Sequence, residues 1–228
     1  MLRITGMSES DLQMAAQDVL AGRSDIELTL LAKPGDVRIV LFDRGAGGPA
    51  LDAAASAIAE RVGDACYSTD GSSLAEVVLA RARAAGLTLA TAESCTGGMV
   101  GAALTDVPGS SVSYLGGVVS YADEAKVTLL GVDPGLIAAC GAISDAIAKS
   151  MAAGARDTFG ADVAVAVTGV AGPDGGSKDK PVGTVWFAVA GQDRVEAHLR
   201  HFPGDRALVR ERATITALDL LRRALPGA

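Results

Sequence analysis

Apolar positions in residues 1–71 follow two different spacings, which predicts a mixture of helices and strands. Apolar residues recur at helical spacing after Ser8, a residue type that often caps helices, and again at Leu51–Val62. Four short apolar runs predict strands, at Leu2–Thr5, Ile26–Ala32, Val37–Phe42 and around Cys66. The resulting order, βαββαβ, favours a small ferredoxin-like α+β domain over residues 1–71.

Residues 72–228 show longer helical patterns that alternate with apolar strands. Ser73 and Glu76 form an S-x-x-E capping box before a helix that ends at Gly86, and Ser144 and Asp205 are expected to cap two further helices. The predicted strands are Leu87–Glu93, Ser113–Tyr121, the apolar run from Ala161, and a hairpin of Val182–Ala190 with Arg194–Phe202. This alternation predicts a layered α/β domain with an antiparallel hairpin on its sheet.

Composition narrows the class of protein. Of the 228 residues, 49% are hydrophobic and 21% charged, a balance that excludes wholesale disorder. The net charge of −7, from 20 basic and 27 acidic residues, argues against a nucleic-acid partner. No run of about 18 apolar residues occurs, so no membrane association is expected. The three cysteines form no C-x-x-C pair, which favours reduced thiols in a cytoplasmic protein.

A hydroxyl and a thiol lie side by side where a buried strand gives way to a helix. In the sequence ATAESCTGG, Ser94 and Cys95 follow the strand, and Gly97 and Gly98 open the helix. Amides at a helix N-terminus attract anions and can form an oxyanion hole, so Ser94 is a candidate nucleophile. The alternative is that Ser94 or Thr96 only caps the helix.

Three further segments carry candidate chemistry. Tyr121 and Lys126 lie five residues apart, and a desolvated lysine can be a neutral base, although most helix lysines face solvent. Thr168 ends an apolar strand before a glycine-rich loop, which is either a ligand loop or a long hairpin connection. Arg206 and Arg210 lie one helical turn apart and either bind an anion together or face solvent.

Six motifs occur in order along the second part of the chain. They are TAESCTGG at Thr91–Gly98, YADEAK at Tyr121–Lys126, GAIS at Gly141–Ser144, TGVAGPDGG at Thr168–Gly176, KPVGTV at Lys180–Val185 and GDR at Gly204–Arg206. Together, over about residues 73–225, they resemble the CinA C-terminal domain family, the nicotinamide-nucleotide amidohydrolases. Family members often read YSNEAK and SGIAGP, where this chain has Asp123 and Thr168.

The resemblance implies an architecture for both parts of the chain. Residues 72–228 are expected to form a three-layer α/β/α domain with a mixed sheet. Residues 1–71, with AKPGDVR and the nearby DGSSLAEVV, resemble the small domain that precedes this module in full-length CinA. The pyrophosphatase activity linked to the large N-terminal domain of full-length CinA is not expected of these residues. Relatives suggest a homodimer.

The activity that the resemblance implies is hydrolysis of nicotinamide mononucleotide to nicotinic acid mononucleotide and ammonia, without a metal or cofactor. Ser94 would be the nucleophile, Lys126 the general base, and Tyr121 would assist proton transfer or orient the lysine. The expected substrate-binding residues are Gly97 and Gly98 for the oxyanion, Thr168, Gly169 and Gly172 for positioning, and Arg206 for an anionic group.

Two alternatives to this interpretation stay open at the level of sequence. The chain could be a catalytically silent nucleotide-binding or scaffold module, although Ser94, Tyr121 and Lys126 are all present. It could also be an amidase that uses Cys95 as its nucleophile. Replacement of Cys95 by serine separates this second alternative from the serine mechanism.

Overall fold

The computed structural model describes residues 1–227 and divides the chain into two compact units. The first unit is Met1–Val77 and the second begins at Val78, within a helix. The sequence-based boundary between residues 71 and 72 stays a prediction. Within residues 1–227, no helix combines the length and apolar character needed to cross a membrane.

The first unit is a four-stranded antiparallel sheet with two helices. Its elements are β1 (Leu2–Ile4), α1 (Glu9–Val19), β2 (Ile26–Lys33), β3 (Asp36–Asp43), α2 (Gly48–Val62), a 3-10 turn (Gly63–Ala65) and β4 (Cys66–Ser68). The strand order β2-β3-β1-β4 and the chain order βαββαβ confirm the predicted small α+β unit. α2 begins at Gly48, three residues before the predicted Leu51. Pro49 fits this position, because an N–H in the first turn of a helix has no acceptor within the helix and a proline therefore loses no hydrogen bond there.

The core of the first unit forms where α1 and α2 pack on one face of the sheet. Leu2 and Ile4 of β1 are buried together with Leu12 of α1 and Ile58 of α2. The hydroxyl of Ser8 accepts the amide of Asp11, so the predicted N-cap is confirmed.

The second unit contains a five-stranded mixed sheet. Its elements are α3 (Leu74–Ala85), β5 (Leu89–Glu93), α4 (Met99–Thr105), a 3-10 turn (Ser110–Val112), β6 (Tyr114–Val119), α5 (Asp123–Leu130), α6 (Pro134–Cys140), α7 (Asp145–Phe159), β7 (Val163–Gly169), β8 (Thr184–Ala190), β9 (Val195–His201) and α8 (Arg206–Ala224). The strand order is β6-β5-β7-β8-β9, with β5 parallel to β6 and β7, and β8 antiparallel to β7 and β9. The predicted hairpin is therefore β8–β9.

Helices cover both faces of this sheet, which confirms the predicted layered α/β architecture. α7 packs on one face, against small side chains such as Ala92 of β5 and Ala166 of β7. α8 packs against β7 and β8, and α4 contacts both α8 and the sheet. The small side chains let α7 approach the strands closely, so Ile147 and Met151 are fully buried between the layers.

Candidate active site

A pocket opens in the second unit where the neighbouring parallel strands β5 and β7 end. Ser94 follows β5 directly, and Thr168 lies at the end of β7. Ligands of open α/β sheets bind outside the carboxyl ends of the strands, so this is where the fold favours a binding site. Five other predicted residues also line the pocket: Tyr121, Lys126, Gly169, Gly172 and Arg206.

The turn that carries Ser94 is held by a buried carboxylate. The side chain of Glu93 accepts the amides of Gly98 at 3.0 Å, Val100 at 3.1 Å and Gly101 at 2.8 Å. These are amides of the first turn of α4, which a helix cannot satisfy by itself. Neither Ser94 nor Thr96 caps the helix, so the capping alternative for these two hydroxyls is wrong. Glu93, a carboxylate at the end of an apolar strand, was missed in the sequence.

The amides predicted to hold an oxyanion are already bonded within the protein. Gly98 donates to Glu93, and Gly97 donates to the carbonyl of Ser94 at 3.1 Å. Neither glycine is among the residues that line the pocket. Both have positive φ, 63° and 96°, so their role here is to let the chain turn sharply between β5 and α4. The structure therefore does not support the expected oxyanion role of Gly97 and Gly98.

Lys126 lies inside the pocket wall, and its side chain is only 1% exposed. Its Nζ donates to Asp123 Oδ1 at 3.1 Å and to the carbonyl of Tyr121 at 3.3 Å. β6 ends at Val119 and α5 begins at Asp123, so Tyr121 lies in the connection and not on the helix. Lys126 is therefore not on a solvated helix face, and the carbonyl of Tyr121, in the segment before its helix, accepts a hydrogen bond from its Nζ.

The tyrosine and arginine side chains meet at the rim of the pocket. Tyr121 is 61% exposed, and its hydroxyl accepts a hydrogen bond from Arg206 Nη2 at 3.2 Å. Arg206 Nη1 donates to the carbonyl of Gly172 at 2.8 Å. Arg206 thus joins the segment before α5 to the loop after β7, and a guanidinium still has other N–H groups to offer an anion.

The two arginines of α8 do not form the predicted joint fork onto one anion. Arg210 donates instead to the carbonyls of Cys95 at 3.1 Å and Thr96 at 3.0 Å. These bonds use the guanidinium to hold the turn after Ser94, since a planar fork of donors matches two neighbouring acceptors. The solvent-face alternative is also wrong for Arg210, whereas Arg206 remains at the pocket.

Thr168 and the loop after β7 form the floor of the pocket. The hydroxyl of Thr168 is buried and donates to the carbonyl of Ala142 at 2.8 Å. A Cβ on Gly169 would lie 2.6 Å from the carbonyl oxygen of Thr184, so only glycine fits this close approach of β7 and β8. The bond of Thr168 ties the end of β7 to the segment before α7, which contributes Ala142 and Ile143 to the pocket.

Cys95 is a poor candidate for a nucleophile. The side chain is buried, with 4% exposure, and desolvation raises the pKa of its thiol to about 12. The thiolate is the reactive form of cysteine, and at neutral pH almost none is present at such a pKa. The cysteine alternative is therefore disfavoured on physical grounds.

The histidines lie away from the pocket. His198 and His201 are on β9, and burial lowers the pKa of His198 below its usual value. Neither histidine lines the pocket, whereas Lys126 does. Within residues 1–227, no three His, Cys, Asp or Glu side chains are grouped so that they could hold a metal ion.

Glu93→Gln is expected to lower the free energy of unfolding by about 2 kcal/mol, because a neutral amide accepts these amide bonds less well and adds an unpaired donor. The matched control is Glu76→Gln, whose exposed carboxylate accepts one amide, that of Ser73 at 2.6 Å. Urea unfolding, followed by circular dichroism, measures the free energy of unfolding of both variants and of wild type. Equal losses in the two variants would contradict a special role of Glu93.

Comparison with known proteins identifies the family. A family model described as the CinA C-terminal domain matches residues 71–225. The chain belongs to the CinA family. It is 48% identical over 229 residues to a CinA-like protein of Mycobacterium sp. (strain MCS), which covers 99% of this chain and 54% of that relative. It is 44% identical over 236 residues to a CinA-like protein of Mycolicibacterium paratuberculosis, covering 100% and 54%. The chain thus spans about half the length of these CinA-like relatives.

Solved CinA structures share the fold. The competence or damage-inducible protein of Enterobacter asburiae has a TM-score of 0.65 and 37% identity, covering 67% of this chain and 96% of that one. The competence damage-inducible protein A of Klebsiella pneumoniae has a TM-score of 0.64 and 40% identity, covering 66% and 93%. The family predicted from the six motifs is confirmed. These names specify no reaction, so the chemistry has to be inferred from the site.

Proposed function

We propose that this CinA-family chain is an amidohydrolase that converts nicotinamide mononucleotide to nicotinic acid mononucleotide and ammonia. The observation that carries the proposal is that a serine and a buried lysine line one pocket at the strand ends. A lysine shielded from water can act as a general base if its amine is neutral, and a serine needs such a base. The proposed substrate is taken from the motif resemblance, and the proposed reaction is inferred from the residues that line the pocket.

The proposed acylation half-reaction uses Ser94 and Lys126 in sequence. The neutral amine of Lys126 takes the proton of Ser94 Oγ while Oγ attacks the carboxamide carbon. When the C–N bond breaks, the lysine ammonium returns this proton to the leaving nitrogen, and ammonia departs. Dividing the hydrolysis of an unreactive amide into two steps lowers the highest barrier.

Deacylation repeats the same proton path with water. Lys126 takes a proton from water as its oxygen attacks the acyl carbon, and returns it to Ser94 Oγ when the ester bond breaks. The products are the carboxylic acid, which ionises, and the free serine. The backbone amide of Cys95 is our candidate for the oxyanion donor, because the residue after a nucleophile at a strand–helix turn often has this role.

Tyr121 and Arg206 have positioning roles in this proposal. The carbonyl of Tyr121 holds Lys126 Nζ, and its hydroxyl is held by Arg206. The guanidinium of Arg206 lies at the pocket and has N–H groups beyond the two that bond Gly172 and Tyr121. We assign these groups to the phosphate of the substrate, which would favour the mononucleotide over the riboside.

The proposal is tested by ammonia release from nicotinamide mononucleotide, nicotinamide riboside and free nicotinamide. Wild type and Cys95→Ser are expected to release ammonia at rates within about threefold of each other, because the buried thiol has no role in the chemistry. Release from the mononucleotide is expected to be fastest. Nicotinic acid mononucleotide should form in equal amount, as measured by chromatography.

Two outcomes would contradict the proposal. If Cys95→Ser loses its activity while remaining folded, the cysteine and not the serine is the nucleophile. If folded wild type releases no ammonia from any of the three compounds, the silent nucleotide-binding module is favoured. Thermal stabilisation by the mononucleotide without turnover would then support that alternative.

A further inference from the structure

The buried lysine in the pocket wall is paired with a carboxylate from its own helix. Asp123 and Lys126 lie three residues apart on α5, with Oδ1 and Nζ separated by 3.1 Å. The two groups differ in environment, because the lysine side chain is 1% exposed and that of Asp123 is 50% exposed. Both line the same pocket. The carboxylate of Asp123 is therefore in contact with solvent, whereas the amine of Lys126 that it contacts is shielded from solvent.

We propose that Asp123 determines the pH range in which Lys126 can serve as the base. This inference rests on the proposed function of Lys126. Burial favours the neutral amine, whereas a carboxylate within hydrogen-bond distance favours the charged ammonium. Only the neutral amine can accept the proton of Ser94. Asp123 thus holds the lysine in place and, by the same contact, makes its neutral form less accessible at low pH.

The other charged groups around Lys126 make different contacts. Arg206 on α8 lines the pocket and would favour the neutral amine, but its two described bonds go to Gly172 and Tyr121. Asp174, from the loop after β7, also lines the pocket, and no ion pair of residues 1–227 joins it to the lysine.

The elements packed against α5 supply no competing carboxylate. On α7, Asp145 pairs with Lys149 and Asp157 pairs with Arg156, so both acidic groups have partners of their own. On β6, the titratable side chain is Tyr114, whose hydroxyl bonds that of Thr91 at 2.8 Å. Asp123 is therefore the carboxylate that the geometry assigns to the lysine.

Asp123→Asn removes the negative charge of the carboxylate and keeps the shape of the side chain. The amide oxygen can still accept a hydrogen bond from Nζ, so the position of Lys126 is retained. Because the ammonium loses its counter-charge, the neutral amine is present at lower pH. The acid limb of kcat/KM against pH is expected to move down by about one pH unit, equal to a roughly tenfold gain on that limb.

Two matched variants separate this effect from a general change in charge. Glu124→Gln removes one negative charge from the same helix at an exposed position, and its pH profile should coincide with that of wild type. Asp123→Glu restores a carboxylate, and its acid limb should return towards that of wild type. A shift in Glu124→Gln as large as that in Asp123→Asn would overturn the proposal.

A second readout does not depend on the substrate. A fluorophosphonate probe reacts with an activated serine, and intact mass measures the rate of labelling of Ser94 at each pH. The acid limb of labelling should move down in Asp123→Asn as it does in turnover. Coincident labelling profiles for wild type and Asp123→Asn would overturn the role of Asp123 and leave the serine amidase standing. A shifted labelling profile in a protein that does not hydrolyse the mononucleotide would support Asp123 and overturn the proposed substrate.

Discussion

Ser94→Ala is expected to reduce ammonia release from nicotinamide mononucleotide by about 10⁴-fold or more, since loss of a serine nucleophile removes the covalent route altogether. The variant should remain folded, because its side chain loses only one oxygen and the amide of Ser94 keeps its bond to Val167 at 2.9 Å. The measurement is the steady-state rate of ammonia release, together with a thermal melt of each protein.

The matched control for Ser94→Ala is Thr96→Val in the same turn. The hydroxyl of Thr96 is buried and bonds no other group within residues 1–227. Its replacement by a methyl group of similar size should leave activity within about threefold and stability unchanged or increased. A Ser94→Ala protein that retains a tenth of the wild-type rate would show that another group attacks the carboxamide.

Lys126→Met is expected to reduce turnover by about 10³- to 10⁴-fold, because it removes the base and keeps the length of the side chain. The fold should be retained, since methionine suits a buried site and the Asp123 carboxylate left behind is half exposed to solvent. Labelling of Ser94 by a fluorophosphonate should slow in parallel, since the same base activates the serine in both reactions.

Lys149→Met on α7 is the control for removing a lysine and its ion pair. Lys149 is paired with Asp145 at 3.6 Å in a partly exposed position away from the pocket. Exposed pairs contribute about 0–1 kcal/mol to stability, so this variant should have wild-type activity and nearly wild-type stability. If Lys126→Met retained a tenth of the wild-type activity, the lysine would be a structural group and not the base.

Local patterns in the sequence predicted the elements of the fold with few errors. The three expected caps are confirmed, since the side chains of Ser8, Ser144 and Asp205 accept amides at the starts of α1, α7 and α8. Apolar runs predicted the strands, and the S-x-x-E box was correct for α3, where Ser73 and Glu76 bond each other's amides. Such signals are readable because they depend on residues within one helical turn or on one strand.

The candidate site was recovered in part. Ser94, Lys126, Tyr121, Thr168 and Arg206 come from four of the six motifs, and the structure brings all of them to one pocket. The structure does not support the expected oxyanion role of the glycines, because a glycine pair before a helix indicates a sharp turn but not which acceptors take its amides. The amide of Gly97 bonds the carbonyl of Ser94, and that of Gly98 bonds the side chain of Glu93, five residues earlier and buried in the folded protein.

The sequence by itself determined the order of helices and strands, the two-part organisation and, through six motifs, the family. Only the tertiary structure decided what the polar groups at and around the pocket bond. In the folded protein, Glu93 accepts amides at the start of α4, Arg210 bonds a carbonyl in the turn after Ser94, and Asp123 pairs with the buried Lys126. The physical reason is that backbone structure follows short-range spacing, whereas the environment of a charge depends on residues that only folding places within a few ångströms.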